Sequence, residues 1–374
     1  MRCSRPMQRR LFIAAAAACG AVPATVSSAV SSTDSPSTTV HPRPLVFPAD
    51  FGAHPTTRTE WWYVTGWLRT QADAAPLGFQ VTFFRSATGL PASPSRFGPQ
   101  QLVFAHAVLG DVAARRQRHD QRIARGGFGI ADAAEGDTRV LLRDWSLRRE
   151  GGAEASRYTT RVTSDSGGFA FELAFESTQP VLLQGEAGFS RKGPKPHEAS
   201  HYYSQPQLRA TGTLTLDGRA LAVQGRAWFD HEWSDHALSD EAVGWDWIGM
   251  NLDDGSALMA VRHRRADGSM FYAGGSFRAA GGAVRNFRPD EVRFMPGRTW
   301  SSAASRASYP VEWTIVTPAG RYRVRALFDA QELDSRASTG GFYWEGLSEL
   351  MDESGRRLGL GYLEMTGYAG RLRT

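Results

Sequence analysis

The run FDHEWSDH, Phe229 to His236, packs carboxylates, imidazoles and an indole into one short stretch. As a metal site it fails on spacing. A zinc helix sets its histidines four apart, whereas His231 and His236 lie five apart in strand-and-turn surroundings, and His54, His106, His197, His201 and His263 are scattered. No metal and no cofactor is expected. As acid–base machinery the run does better. Successive side chains of a strand alternate faces, so Asp230 and Glu232 share one face and His231 and Trp233 the other. Turned toward an apolar interior, repulsion and desolvation would keep one carboxyl protonated at neutral pH, as a general acid requires. Turned outward, the same pair is a solvated surface. The residues leave both arrangements open. No G-x-S-x-G elbow marks a serine nucleophile, and the glycine-rich places lack the strand-to-helix setting that nucleotide binding needs.

The elements that must position these groups are strands. Short alternating runs such as EWWYVTGWL from Glu60, GFQVTFFR from Gly78, VLLRDWSLR from Val140 and FAFELAFE from Phe169 are separated by Gly, Asp, Asn and Pro, so the class is all-β. Asp217-Gly218 within TGTLTLDGRALAVQGRAWF is a hairpin signal. The chain also looks written twice. Trp62 precedes Gly66 by four residues, Trp245 precedes Gly249 by four, and the two hairpins return to Arg85 and Arg262. This predicts two related β-domains, 45–225 and 226–374, with Trp62 and Trp245 in equivalent places. Trp61 and Tyr63 point one way and Trp62 the other, so that strand is buried on both sides, filling two cores or lining an interior. Glu60, beside these tryptophans, is the candidate for a second carboxylate brought in from the first domain, with the cavity at the junction of the halves.

The N-terminus reads as a signal peptide over 1–29: a basic start, an apolar run from Leu11 to Val22, and small residues up to Ala24 or Ala29. Arg9-Arg10-Leu11-Phe12-Ile13 has the form of a twin-arginine signal. Export to the periplasm or medium is therefore expected. Lipoprotein processing at Cys19 is the weaker alternative, because Ala16 stands where such motifs prefer leucine. Cleavage after Ala29 removes Cys3 and Cys19 and so every thiol. It also removes Arg2, Arg5, Arg9 and Arg10 with no acid, taking the formal charge from +5 to +1. Nucleic-acid binding then loses its electrostatic support, and ARRQRHDQRIAR from Ala114 reads as a solvated loop. Residues 30–44, rich in Ser, Thr and Pro, read as a disordered linker.

FPADFGAHPTTRTEWWYVTGWL, GFQVTFFR, HYYSQPQLRATGTLTLDG, GRAWFDHEWS, GWDWIGMNLDDGSALMAVRHRRADG and YWEG occur in this order. Together they resemble the AttH/CrtC-like secreted proteins over about Leu45 to Tyr368. That group has tandem lipocalin-like domains and includes carotenoid 1,2-hydratases and kievitone hydratase. The resemblance implies two β-barrels, each with an aromatic-lined cavity, and hydration of an isolated double bond by a carboxylic acid, with Asp230, His231 and Trp233 matching the family's corner. Asp230, His231, Glu232 and Glu60 are the catalytic candidates. Trp61, Trp62, Tyr63, Tyr202, Tyr203, Trp233, Trp245, Trp247 and Arg262 are the candidates for binding a long apolar or isoprenoid-like molecule. Met259, Ala260 and Val261 stand where the carotenoid enzymes carry Tyr and Asp, which points away from a carotenoid substrate. A secreted hydrolase and a non-catalytic lipid carrier or chaperone are the other readings. The partner in all of these is an apolar small molecule or lipid, a setting that also suits a membrane surface.

Overall fold

A computed structural model describes residues 40–91, 95 and 97–371. The signal-peptide segment 1–29 and most of the expected linker lie outside them. The described residues form no α-helix, and no helix among them is long and apolar enough to cross a membrane. The first sheet holds β1 (Thr59–Arg69), β2 (Leu77–Ala87), β3 (Gln101–Asp111), β4 (Arg116–Arg125), β5 (Ala131–Ala133), β6 (Arg139–Leu142) and β7 (Trp145–Glu150). It continues through β8 (Arg157–Thr163), β9 (Phe169–Glu176), β10 (Leu182–Leu183), β11 (Phe189–Arg191), β12 (Ala199–Leu216) and β13 (Arg219–Ser234). The second sheet follows, with β14 (Gly244–Leu252), β15 (Ala257–Arg264), β16 (Met270–Arg278), β17 (Val284–Phe287) and β18 (Arg293–Pro296). After the separate ribbon of β19 (Thr299–Ser301) and β20 (Ser308–Pro310) it resumes with β21 (Glu312–Thr317), β22 (Gly320–Ala326), β23 (Glu332–Asp334), β24 (Phe342–Met351) and β25 (Arg357–Met365).

The first sheet runs β4-β3-β2-β1-β13-β12-β9-β8-β7-β6-β5. Its ends meet, with Arg122 of β4 bonded to Asp144 in the β6–β7 turn and to Asp165, so the sheet nearly closes into a barrel. The interior is packed with Trp62, Phe79, Phe83, Trp145, Phe171 and Phe229, each contributing about 1.5–3 kcal/mol by leaving water. The barrel is thus a filled core, and the cavity expected inside each half lies instead between the sheets. The hairpin at Asp217-Gly218 forms as expected, with φ of 49° and 80°, the left-handed pair of a tight turn.

The second sheet runs β17-β16-β15-β14-β25-β24-β22-β21-β18. The same plan recurs: the last long strand, β13 or β25, returns beside the first, β1 or β14. The repeat is therefore real in strand order, but its register is one residue away from the Trp62–Trp245 match. Trp62 and Val64 point into the barrel, whereas Ile248 points into the second core and Trp247, with Trp245 against it, faces the first sheet. Trp61 and Tyr63, rather than Trp62, share with Trp245 and Trp247 the face that looks toward the other sheet. A shift of one reverses every side chain, and the shared W-x-x-x-G spacing hides it.

Three further expectations are corrected. β13 pairs with β1 from Gln224 to Ser234, so a division at 225/226 cuts a continuous strand, and the sheets separate within 235–243. Gly225 marks a close approach rather than a break, because a Cβ there would lie 1.8 Å from the Trp67 carbonyl oxygen. The basic run after Ala114 is strand β4, not a loop. It pairs along β3 as an edge strand, where charge on the outward face guards the open edge. Within the expected linker, Val40 packs with Phe189 and Ala199, and Arg43 makes a two-pronged bond to Asp50 at 2.7 and 2.8 Å, so that end is held.

Candidate active site between the sheets

The two sheets face each other through an aromatic layer that includes Tyr63, Tyr202 and Trp228 from the first and Trp247, Met259 and Tyr362 from the second. Beside it lies a cavity of about 350 Å³. One wall consists of two adjacent rows of cross-strand neighbours. The polar row is Ser204, Asp230, Tyr63, Thr82, His106 and Gln121. The more apolar row, Tyr202, Glu232, Trp61, Phe84, Phe104 and Ile123, runs outward to the edge strand. The facing wall carries Glu345, Glu364, Trp247 and Val261 as cross-strand neighbours, together with Trp245, His263 and Tyr343.

The central chemical feature is a set of carboxyls without counter-charges, Asp230 and Glu345 buried and Glu364 half-buried. Asp230, Glu345 and Glu364 line the cavity, and none of them forms an ion pair among the described residues. Asp230, only 3% exposed, accepts from Ser204 Oγ at 2.5 Å, Trp228 Nε1 at 2.7 Å and Tyr202 Oη at 2.8 Å. Burial still pushes its pKa up to about 7, with the Glu232 charge adding to the rise. Glu345 and Glu364 sit directly opposite one another. Burial raises both above the usual carboxylate range, with the Glu364 charge adding to the rise of Glu345 and the charges of Asp230 and Glu232 adding to that of Glu364. Tyr63 donates to Oε1 of Glu345, while Oε2 has no protein partner. Trp245 donates to Glu364, whose other electrostatic neighbours are Asp230 and Glu232. The carboxyls thus form a line from Asp230 through Glu364 to Glu345.

Asp230 and Glu232 share a face, as alternation requires, and that face is inward. Glu232, however, is neutralised by Lys192 at 2.6 Å, with Ser200 also donating to it. Lys192 in turn rests over the Trp61 ring. Of the sequence-derived candidates the cavity gathers Glu60, Trp61, Tyr63, Tyr202, Asp230, Glu232, Trp245 and Trp247. It does not gather Trp62, Tyr203 and Trp233, which fill the barrel core. His231 is buried on the core side of its strand between Trp62 and Trp233. Arg262 turns from the cavity to pair with Asp246 at 2.6 Å over the Trp313 ring.

Glu60 touches the cavity but is not a free acid. Its carboxylate accepts from Arg85 Nε at 2.7 Å, His54 Nδ1 at 2.7 Å and His231 Nε2 at 2.9 Å. Burial alone would raise its pKa, yet the hydrogen bonds from His231 and His54 hold it far below the ordinary value. His54, Glu60 and His231 have donor atoms within 4.8 Å of one another and are a metal-compatible group that spacing along the chain could not show. Here they serve as one another's hydrogen-bond partners. Asp50 bonds the far nitrogen of His54 and Tyr203 that of His231, so the cluster is a closed structural network.

Residues missed from sequence are Glu345, Glu364, His106 and Tyr343. Tyr343 and Glu345 stand in YWEG, where alternation puts them on one face and Trp344 on the other. An isolated glutamate flanked by aromatics inside a strand was the available signal.

The raised carboxyls have a consequence for stability. A buried Asp whose folded pKa exceeds its unfolded value holds a proton that the unfolded chain has released, so stability declines as pH rises through that window. For Asp230 the window runs from 3.8 to about 7. The Asp230 contribution is read as the difference in chemical-denaturation stability between wild type and Asp230→Asn, which should move against wild type as pH rises across this range; a difference independent of pH would show that Asp230 ionises normally.

A nearly closed barrel stacked on a second sheet of the same strand plan, with an acid-lined cavity between them, defines a tandem lipocalin-like protein. Residues 38–368 match the family described as AttH-like, and the chain belongs to that family. A crystal structure of an AttH from Nitrosomonas europaea is similar at 47% identity and a TM-score of 0.80, covering 88% of this chain and 99% of that one. Kievitone hydratase from Nectria haematococca shares the fold at 15% identity and a TM-score of 0.63, with 89% and 98% covered. No curated protein matches this chain in sequence.

Proposed function

We propose that this protein is exported, binds a compact apolar molecule between its sheets and adds water across an isolated carbon–carbon double bond. The observation that carries this is the meeting of Asp230, Glu345 and Glu364 in one apolar cavity without a cation paired to any of them. A cavity of about 350 Å³ lies at the low end of drug-sized ligand sites, so it suits a monoterpene-sized ligand or one end of a longer chain. A structural neighbour named for hydratase activity is consistent with the same chemistry.

The steps balance without a cofactor. Glu345, held protonated, gives its proton from the unpartnered oxygen to one alkene carbon. The π pair forms the new C–H bond and leaves a carbocation on the other carbon. The faces of Trp61, Trp245 and Trp247 stabilise that positive charge. A water attacks the cation and releases its proton to the carboxylate of Asp230, whose pKa near 7 leaves it part-ionised at neutral pH. Glu364, between the two, returns the proton to Glu345. The pairing of Asp230 with Glu232 on one face pointed to a protonated acid, but the three donors to Asp230 favour for it the role of base. The test is incubation in ¹⁸O-water with a set of monoterpene alkenes and alcohols and with any small molecule that co-purifies. The expected result is a product gaining one labelled oxygen, detected by mass spectrometry. Retention of a ligand without label would make the protein a carrier.

A further inference from the structure

Gln80 lines the cavity from β2 and is 1% exposed. Its amide nitrogen donates to Thr82 Oγ1 at 2.9 Å and to Tyr343 Oη at 3.2 Å. Its carbonyl oxygen is buried and has no protein partner, a rare state for a native side chain.

The direction of every bond behind Gln80 follows from one fixed end. Gln121 donates to the Asp334 carbonyl at 2.7 Å, so its Oε1 faces the other way and accepts from Ser338 Oγ at 2.6 Å. With its proton spent there, Ser338 can only accept from His106 Nε2, at 2.8 Å. His106 is buried and kept neutral, its pKa pushed down to about 3 by burial, so Nδ1 carries no proton and takes that of Tyr343 at 2.7 Å. The Tyr343 oxygen must then accept, which requires the amide nitrogen of Gln80 to face it and leaves the amide oxygen over. The chain has a single polarity, and it ends on a buried, unpartnered acceptor of a side chain that lines the cavity.

We infer that Gln80 Oε1 is the recognition point for a hydroxyl on the ligand, so that the substrate class is an apolar alcohol or phenol rather than a pure hydrocarbon. This rests on the cavity being the ligand site. A ligand hydroxyl satisfies the buried acceptor, whereas an ether or hydrocarbon of the same shape leaves it unpaired, and sites built this way reject the analogue that lacks the donor. The placement also suits the chemistry. Tyr343, which holds the Gln80 amide, and Glu345 are two apart on one face of β24, so the residue that orients the amide and the acid belong to the same cavity wall.

The experiment compares geraniol with geranyl methyl ether, using tryptophan-fluorescence quenching and calorimetry on the whole protein. Wild type should bind the alcohol about tenfold or more tighter than the ether. Gln80→Leu should bring the two within about twofold by weakening the alcohol alone. If the leucine variant fails to fold, Tyr343→Phe decides. Without the phenolic oxygen the Gln80 amide is free to turn, and the alcohol's advantage should shrink. Equal binding to wild type, or an advantage that survives in the variant that folds, overturns donor recognition and leaves the hydration chemistry to stand on the isotope experiment. Absence of label with the advantage intact overturns the chemistry alone, and failure of both probes to bind overturns both.

Discussion

Replacing Glu345 by glutamine is expected to lower ¹⁸O incorporation about 100-fold or more, the ordinary contribution of a general acid, while the protein stays folded and keeps its ligand. Glutamine fills the same space and can still bond to Tyr63, so what it removes is the transferable proton. Asp230→Asn should cause a loss of similar size for a different reason: Ser204 and Trp228 still find an acceptor in the amide oxygen and the Tyr202 hydroxyl can accept from the amide nitrogen, but the water loses its base. The pH profile separates the two roles. Activity should rise through about pH 7 as Asp230 ionises and fall at higher pH, where Glu345 finally loses the proton that burial and Glu364 hold on it. In Asp230→Asn the rising limb should disappear from the residual activity. Equal activity of Glu345→Gln and wild type would remove Glu345 from the mechanism.

The largest effect on stability is expected at Glu60. Glu60→Gln leaves Arg85, 2% exposed, without its counter-charge and weakens the acceptor shared by His54 and His231. Removing one partner of a buried pair costs about 3–5 kcal/mol, measurable as a drop in the urea midpoint at pH 7. The sign of the pH dependence opposes that of the cavity acids. The Glu60 pKa is depressed in the folded state, so its stabilisation is present above the ordinary glutamate value and is lost as pH falls below it. If Glu60 were a catalytic acid, the substitution would instead spare stability and abolish turnover.

Much of this architecture was legible in the sequence. Alternation in EWWYVTGWL and FDHEWS assigned faces correctly at Trp61, Tyr63, Asp230 and Glu232, because period two is a local property of the backbone. What alternation cannot supply is which face meets which partner. Trp62 and Trp233 were as aromatic as Trp61 and Trp247, yet they turned into the filled barrel, where Trp233 stacks on His54 at 3.8 Å. Glu60 looked like a cavity acid until Arg85 and the two histidines arrived from other strands. Glu345 and Glu364 come from the last two strands, far along the chain from Asp230, and only the return of β25 beside β14 brings them to the same cavity. The repeat was visible in spacing but misplaced by one residue, since a glycine and a tryptophan four apart fix a pattern without fixing a register.

The inter-sheet cavity stores a protonated carboxyl at neutral pH. Infrared difference spectroscopy of wild type against Glu345→Gln at pH 7 tests this without knowledge of the ligand. A protonated-carboxyl C=O band present in wild type should be missing from the variant. A difference spectrum containing only the bands of an ionised carboxylate would contradict it.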